Sequence, residues 1–371
     1  MRIGILKEFL PEKRVALLPE ACTLLLKLKV EVWVEKDAGI SAFASNLEYE
    51  KTGAKMVNRE ELLADADIIT SINTPSASDI AKLKPGMVLI AAMNIGNSSD
   101  LLDSLMKTGV TAFSLELIPR TTRGQSMDIL SSMATISGYK AILEAALRMP
   151  RFFPMFMTAA GTIKPAKVLI LGAGVAGLQA VATSRKLGAM VEVFDVRAAV
   201  KEEVMSLGAK FVEVEGAIEN ANAGGYAIEQ AEDFKLKQAQ AIHDHAAKSD
   251  VIICTAQIPG RKAPVLLRKE TIEAMRPGSV IIDLAASTGG NCELTRNAET
   301  IIHNQVTIVG KSDYPSDTSS DASKMFGNNL MNLLKLIIDK EGKLALDFND
   351  EIIKGTCACH QGSIVSERLK K

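Results

Sequence analysis

No charge of either sign prevails in this 371-residue chain, in which 43 lysines and arginines stand against 44 aspartates and glutamates. That balance leaves no basic footprint for nucleic acid and no polybasic patch for an anionic membrane. Long hydrophobic runs are missing too. Apolar residues make up 47% of the chain, yet no uncharged stretch reaches the roughly 18 residues that suggest a membrane helix. The opening MRIGILKEF enters strand-like sequence with no signal-peptide pattern, so a soluble chain is expected. Cysteine is scarce and odd in number, with Cys22, Cys254, Cys292, Cys357 and Cys359, which excludes a disulfide framework. Cys357-Ala-Cys359-His360 has no second ligand pair at zinc spacing and reads as a reduced strand end. His243 and His245, on either side of Asp244, read as a solvated helical face. No repeat of solenoid length occurs.

What the chain does have is a steady alternation of short apolar runs with helical patterns. Strands are expected at Ile3–Leu6, Val30–Val34, Asp67–Thr70 and Met87–Ala91, then at Met190–Phe194, Val251–Cys254, Val280–Leu284 and Val306–Val309. Helices are expected at Glu20–Leu28, Ser99–Lys107, 131–150 and Ala322–Ile338. Apolar strands buried on both faces and separated by helices imply parallel sheets. The expected fold is α/β, with two Rossmann-like doubly wound parallel-sheet domains separated by a cleft. The first domain spans 1–133 and is completed by 318–371; the second spans 134–317. A polar, Gly/Ala/Asn-rich stretch at 216–232 reads as a mobile loop.

Gly172-Ala173-Gly174-Val175-Ala176-Gly177 matches the dinucleotide fingerprint G-x-G-x-x-G. The string alone is weak, but its context is right. An apolar strand, Val168–Leu171, precedes it, a helix follows from Leu178, and a second strand ends in Asp195 near the expected offset of about 20 residues. Gly172 permits the tight turn, Gly174 lets a pyrophosphate approach the backbone, and Gly177 lets the helix pack close to the strand. The helix N-terminus offers N–H groups and partial positive charge to phosphates. Asp195 is expected to accept from the adenosine ribose and to repel a 2′-phosphate, so NAD(H) is favoured over NADP(H). Val196, Arg197, Thr255 and Ala256 complete the expected cofactor-binding set, with Arg197 read as solvent-facing. No second fingerprint occurs.

Further segments carry a resemblance that covers nearly the whole chain: Ile5-Leu-Lys7-Glu8, Arg14-Val-Ala-Leu-Leu-Pro19, Arg123-Gly-Gln125-Ser-Met-Asp128-Ile-Leu-Ser131-Ser132, Gly224-Gly-Tyr226-Ala, Ile258-Pro-Gly-Arg261-Lys-Ala-Pro264 and Lys354-Gly-Thr-Cys. With the fingerprint, they make the chain resemble the NAD(H)-binding alpha-1 component (domain I) of proton-translocating NAD(P) transhydrogenases, a family related to alanine dehydrogenase. The resemblance implies Si/Re-specific hydride transfer between NADH bound here and NADP+ bound by a partner subunit. It implies that Asp128 and Ser131 orient the nicotinamide carboxamide, that Arg120 sits against the nicotinamide end, and that Gln125 reaches toward the partner's cofactor. For Asp128 and Ser131, capping of the following helix stands beside that role. Tyr226 would belong to a loop that closes over NAD(H). A homodimer is implied, together with a partner that carries the membrane and NADP(H)-binding domains. The chain would be a detached subunit, cytoplasmic and peripheral on the inner face of the cell membrane.

The same resemblance separates two chemistries. Alanine dehydrogenases use a lysine in K-E-P and a histidine after the next strand. Here those places read Asn73-Thr74-Pro75 and Met93-Asn94-Ile95, and the aspartate of that family is Ser287. Asparagine and serine do not titrate near neutral pH, so they cannot serve as the acid or base an amino-acid dehydrogenase needs. Arg14 keeps the place of a carboxylate-binding arginine and is read as a salt bridge with Glu8 or Glu12. Met133 and Thr135 stand where the transhydrogenase pattern has Gln and Asn. Alanine dehydrogenase-like activity and a non-catalytic NAD(H)-binding module remain as alternatives.

Overall fold

A computed structural model describes residues 1–214, 231–257 and 261–370. The chain divides into two units, Met1–Met133 with Pro315–Lys371, and Ala134–Tyr314. The first division falls inside the helix Ile129–Arg148.

The strands of the first unit are β1 (Arg2–Ile5), β2 (Glu31–Glu35), β3 (Lys55–Val57), β4 (Ile68–Asn73), β5 (Val88–Ala92) and β6 (Thr111–Ser114). Those of the second are β7 (Phe156–Thr158), β8 (Gly161–Ile163), β9 (Lys167–Leu171), β10 (Met190–Phe194), β11 (Lys210–Phe211), β12 (Val251–Cys254), β13 (Val280–Asp283), β14 (Thr300–His303) and β15 (Val306–Val309). The chain then returns to the first unit with β16 (Cys357–His360) and β17 (Ser363–Ile364). The first sheet runs β17-β16-β6-β5-β4-β1-β2-β3 and the second β11-β10-β9-β12-β13-β15-β14. Numbered within its own sheet, each set of strands begins third, second, first, fourth, fifth from one edge, the doubly wound arrangement. Within these two sheets pairing is parallel except at β16, β17 and β14, and β7 and β8 form a separate antiparallel pair.

The central strands β4, β5, β9, β12 and β13 are buried along nearly their whole length because both faces are covered. In β5, Val88 and Ile90 belong to one core while Leu89 and Ala91 belong to another, as alternating side chains require. The helix Ser319–Ile337 supplies Phe326, Leu330, Leu333, Leu334 and Ile337 to the first of these cores. In the second unit Val168 and Ile170 face one core and Leu169 and Leu171 the other.

The apolar runs locate β10, β12 and β15 at their observed bounds. They miss β6, whose sequence TAFS has too little apolar signal; pairing to β5 and β16 makes it a strand. Among the described residues the β7–β8 hairpin pairs only with itself, and all six of its residues are exposed. Two histidine expectations need correction. His245 Nδ1 sits 2.6 Å from Glu192 Oε2 and His243 Nδ1 3.0 Å from Thr271 Oγ1, so both rings are tied to neighbouring elements rather than solvated. Cys357 and Cys359 are free thiols in a buried strand. No helix among the described residues is long and apolar enough to cross a membrane.

Candidate functional site

The glycine turn lies at the carboxyl end of β9, whose neighbours are β10 and β12, at the point where strand order reverses. Gly172 has φ +104°, which only glycine adopts readily, and a Cβ there would lie 2.6 Å from Thr255 Oγ1. A Cβ on Gly177 would lie 1.9 Å from the Gly172 carbonyl oxygen. Thr255 Oγ1 braces the turn, 3.0 Å from that carbonyl and 3.1 Å from the Leu171 carbonyl. Around Gly174, by contrast, a Cβ would meet nothing within 4 Å. Gly174 caps the helix Val175–Lys186, whose first-turn N–H groups, including those of Val175 and Ala176, have no intrahelical acceptor. An open glycine beside unpaired helix-start amides suits a pyrophosphate. From behind, Gly138 lies so near that a Cβ on it would be 2.1 Å from the Ala176 carbonyl oxygen.

Asp195 follows β10 and reaches back to this turn, accepting from the Ala173 N–H at 2.7 Å. The reading of Arg197 as solvent-facing is overturned. Its Nε and Nη2 donate to Asp195 Oδ1 at 2.9 Å and Oδ2 at 2.7 Å, and its N–H also donates to Oδ1. The Asp195 side chain is 6% exposed and that of Arg197 24%, because a carboxylate removed from water needs a charged partner. Hydrogen bonds from Arg197 to Asp195 hold the guanidinium pKa above its usual range. Val196 packs beside them against the core.

The loop after β12 is fixed by residues that sequence reasoning misses. Asn291 accepts from the Ala256 N–H at 3.0 Å and donates to the Ala256 and Pro264 carbonyls at 2.9 and 2.8 Å. Buried Asp283 accepts from the N–H groups of Ala285, Asn291 and Cys292 and from Thr295 Oγ1. Burial pushes its carboxyl pKa up while these donors pull it down, leaving it above the ordinary value. The signal that could have found them is Gly289-Gly290-Asn291 after an apolar strand ending in aspartate. Ser287 donates its N–H to Ser312 Oγ at 3.2 Å.

In the first unit, residues 120–131 form a loop, a 3-10 turn at Gly124–Met127 and the start of the helix Ile129–Arg148. Asp128 Oδ1 accepts from the Ser131 N–H at 3.0 Å, and Oδ2 from Ser131 Oγ at 2.6 Å, which is capping geometry. Arg120 and Gln125 are exposed, while Met127 is buried in the core. Arg123 ion-pairs with Asp350. Tyr226 lies outside the described residues, as do 215–230 and 258–260.

Arg14 does pair with Glu12, Nε to Oε1 at 2.8 Å and Nη2 to Oε2 at 2.6 Å, with Nη1 3.0 Å from Met133 Sδ. Asn73 Nδ2 donates to Glu8 and Glu12 at 3.2 and 3.3 Å. Burial raises the Glu8 pKa to about 7 despite the Ile72 N–H, and the charge of Glu12 adds to the rise. Glu12 is also buried, but the Arg14 guanidinium outweighs that and lowers it to about 2. Asn94 Oδ1 accepts from Asn97 Nδ2. The one arginine is thus already matched by a carboxylate, and positions 73 and 94 carry no titratable group.

Comparison with known proteins agrees across the whole chain. The family model "Alanine dehydrogenase/PNT, N-terminal domain" matches residues 4–137, and "Alanine dehydrogenase/PNT, C-terminal domain" matches 141–367. The chain is 43% identical to a chain of the NAD(P) transhydrogenase alpha subunit from Rhodospirillum rubrum, covering 100% of this chain and 99% of that protein. The crystal structure of transhydrogenase from Sinorhizobium meliloti superposes with a TM-score of 0.90 at 40% identity, over 98% of this chain and 100% of the other. Alanine dehydrogenase of Mycobacterium tuberculosis is 25% identical over 100% of this chain and 96% of that protein.

Proposed function

The chain belongs to the alanine dehydrogenase/PNT family, and from that premise we propose that it is the NAD(H)-binding alpha subunit of an NAD(P) transhydrogenase. The observation that carries the choice within the family is the pair Asn73 and Asn94, where the dehydrogenase pattern has lysine and histidine. Reducing an oxo acid requires proton transfer, and these amides cannot perform it. Identity points the same way, at 43% over 379 residues to a transhydrogenase subunit against 25% over 378 residues to an alanine dehydrogenase.

NAD(H), when bound, supplies a hydride at its nicotinamide ring, and passage of that hydride to a second nicotinamide needs alignment and exclusion of water rather than an acid or base. In this reading Gly172, Ala173, Gly174, Val175, Ala176 and Gly177 hold the pyrophosphate at the helix start. Asp195, kept in place by Arg197 and the Ala173 N–H, takes the ribose, with Val196, Thr255 and Ala256 lining the same site. Asp128 and Ser131 orient the carboxamide, Arg120 flanks the nicotinamide end, Gln125 faces the partner's NADP(H), and Tyr226 closes the site. Met133, Thr135 and Ser287 stand outside this set. The working assembly is a homodimer bound to a partner with NADP(H)-binding and membrane domains. There the transfer, Si/Re-specific, is coupled to proton movement, and the subunit sits on the inner face of the cell membrane.

The test mixes the purified chain with an NADP(H)-binding transhydrogenase partner and follows NADH-dependent reduction of NADP+. Transfer that needs both proteins is expected, with no turnover of pyruvate and ammonia by the chain alone. Turnover of those substrates would establish the dehydrogenase reading instead, and NADH binding without either activity would leave a binding module.

A further inference from the structure

The exposed loop that carries Gln125 is held from behind by the helix Ser319–Ile337. Asn329 Nδ2 donates to the Ser126 carbonyl at 2.9 Å and Asn332 Nδ2 to the same oxygen at 3.0 Å. The two asparagines are three residues apart, so they share one helix face. We propose that Asn329 and Asn332 are positioning residues for hydride transfer, clamping the Ser126 carbonyl so that Gln125 and Asp128 keep their placement. The inference rests on the transhydrogenase reading of that loop.

Packing alone does not explain the two amides. The residues around them on the helix, Phe326, Leu330, Leu333 and Leu334, are buried in an apolar core. Asn329 is 7% exposed, and its Oδ1 is buried with no hydrogen-bond partner among the described residues. An unpaired buried carbonyl is unfavourable, and a leucine of similar size would remove it. What the asparagine supplies is an N–H for a carbonyl in an exposed segment. The loop is also held at Met127, which is buried, at Gly124, where a Cβ would lie 2.2 Å from the Pro119 carbonyl oxygen, at Gln125, whose N–H donates to the Thr121 carbonyl at 3.1 Å, and at Asp128 through Ser131. Ser126 lies between Gln125 and Asp128, and its carbonyl is where the helix Ser319–Ile337 hydrogen-bonds the backbone that joins them.

The experiment uses the full chain as Asn329→Leu, Asn332→Leu and the double variant, with an NADP(H)-binding partner. Three readouts are taken: amide exchange at 124–128, NADH affinity, and single-turnover transfer. In the double variant, exchange should rise about tenfold and transfer should fall at least about tenfold, while NADH affinity changes less than about threefold. Asn329→Leu should melt no lower than the unsubstituted chain, a result opposite to that of a structural role. Unchanged exchange, or faster exchange with unchanged transfer, would overturn the clamp. If the double variant does not fold, the half-buried Asn332→Leu decides by the same readouts. Absence of transfer in the unsubstituted chain would instead overturn the function proposed above, and exchange would still report whether the loop is held.

Discussion

At the scale of single residues, buried charge accounts for most of what is unexpected. Asp195 and Arg197 are two positions apart, and the carboxylate's burial draws the arginine onto it. Replacing Asp195 by alanine removes the proposed ribose acceptor, and it also removes the carboxylate that offsets the Arg197 charge beside the place a 2′-phosphate would occupy. Asp195→Ala should weaken NADH binding and narrow the preference over NADPH by at least about tenfold, or ~1.4 kcal/mol. Asp195→Ala/Arg197→Ala should bind both dinucleotides weakly. Calorimetric titration of each variant checks this, and unchanged affinity for both dinucleotides in Asp195→Ala would remove Asp195 from the site. Glu8 makes a separate prediction about pH. Its pKa is about 7 in the folded chain against an ordinary 4.5, so the folded state retains a proton that the unfolded chain gives up. The resulting stabilisation is complete below 4.5 and is lost as pH rises through about 7. Glu8→Gln keeps a neutral acceptor for the Ile72 N–H at every pH. It should raise the melting temperature near pH ~8 and leave it nearly unchanged near pH ~5. Equal shifts at both values would contradict the assignment.

At the scale of elements, the glycine turn separates packing from binding. Gly177 and Gly174 belong to one motif, yet their surroundings differ. A methyl group on Gly177 would strike the Gly172 backbone at 1.9 Å, whereas on Gly174 it would enter open space. Gly177→Ala should therefore cost stability, toward or beyond the upper end of about 1–3 kcal/mol, measured by denaturant unfolding. Gly174→Ala should unfold like the unsubstituted chain and lose NADH affinity, because the methyl occupies the approach of the pyrophosphate. If both variants lose stability alike, the open space at Gly174 is not a ligand approach. The contrast also shows what a sequence can and cannot display. Strand–turn–helix is a local property, so β9, its turn and the strand ending before Asp195 are legible from spacing, as is the pairing of Arg14 with Glu12 two residues away. The Asn291 amide that fixes Ala256 lies 35 residues along, and the Asn329 amide that holds Ser126 lies 203 residues along. Each is one polar residue in an unremarkable run, and only the fold brings it to its partner. Arg197 escapes sequence reasoning for a different reason: spacing says nothing of how deeply Asp195 is buried.

At the scale of the whole molecule, the β7–β8 hairpin is the element least explained by one copy of the chain. It pairs with no other strand among the described residues, and Phe156, Met157 and Ile163 are 40%, 76% and 42% exposed, with Phe152 and Met155 exposed nearby. An isolated two-stranded hairpin is marginal in water, and an apolar patch of this kind marks an interaction surface. Under the homodimer proposed above, the expected occupant is a second copy covering the hairpin. Met157→Asp with Ile163→Lys puts opposite charges on the two strands at exposed positions. It should shift the chain from dimer to monomer in sedimentation at about 10 μM, the affinity range where loss of a few kcal/mol becomes visible. NADH affinity should stay within about threefold, since the glycine turn and Asp195 are untouched. A substituted chain that still sediments as a dimer would place the interface elsewhere. An unsubstituted chain that is monomeric at this concentration would remove the homodimer from the proposal while leaving the cofactor site intact.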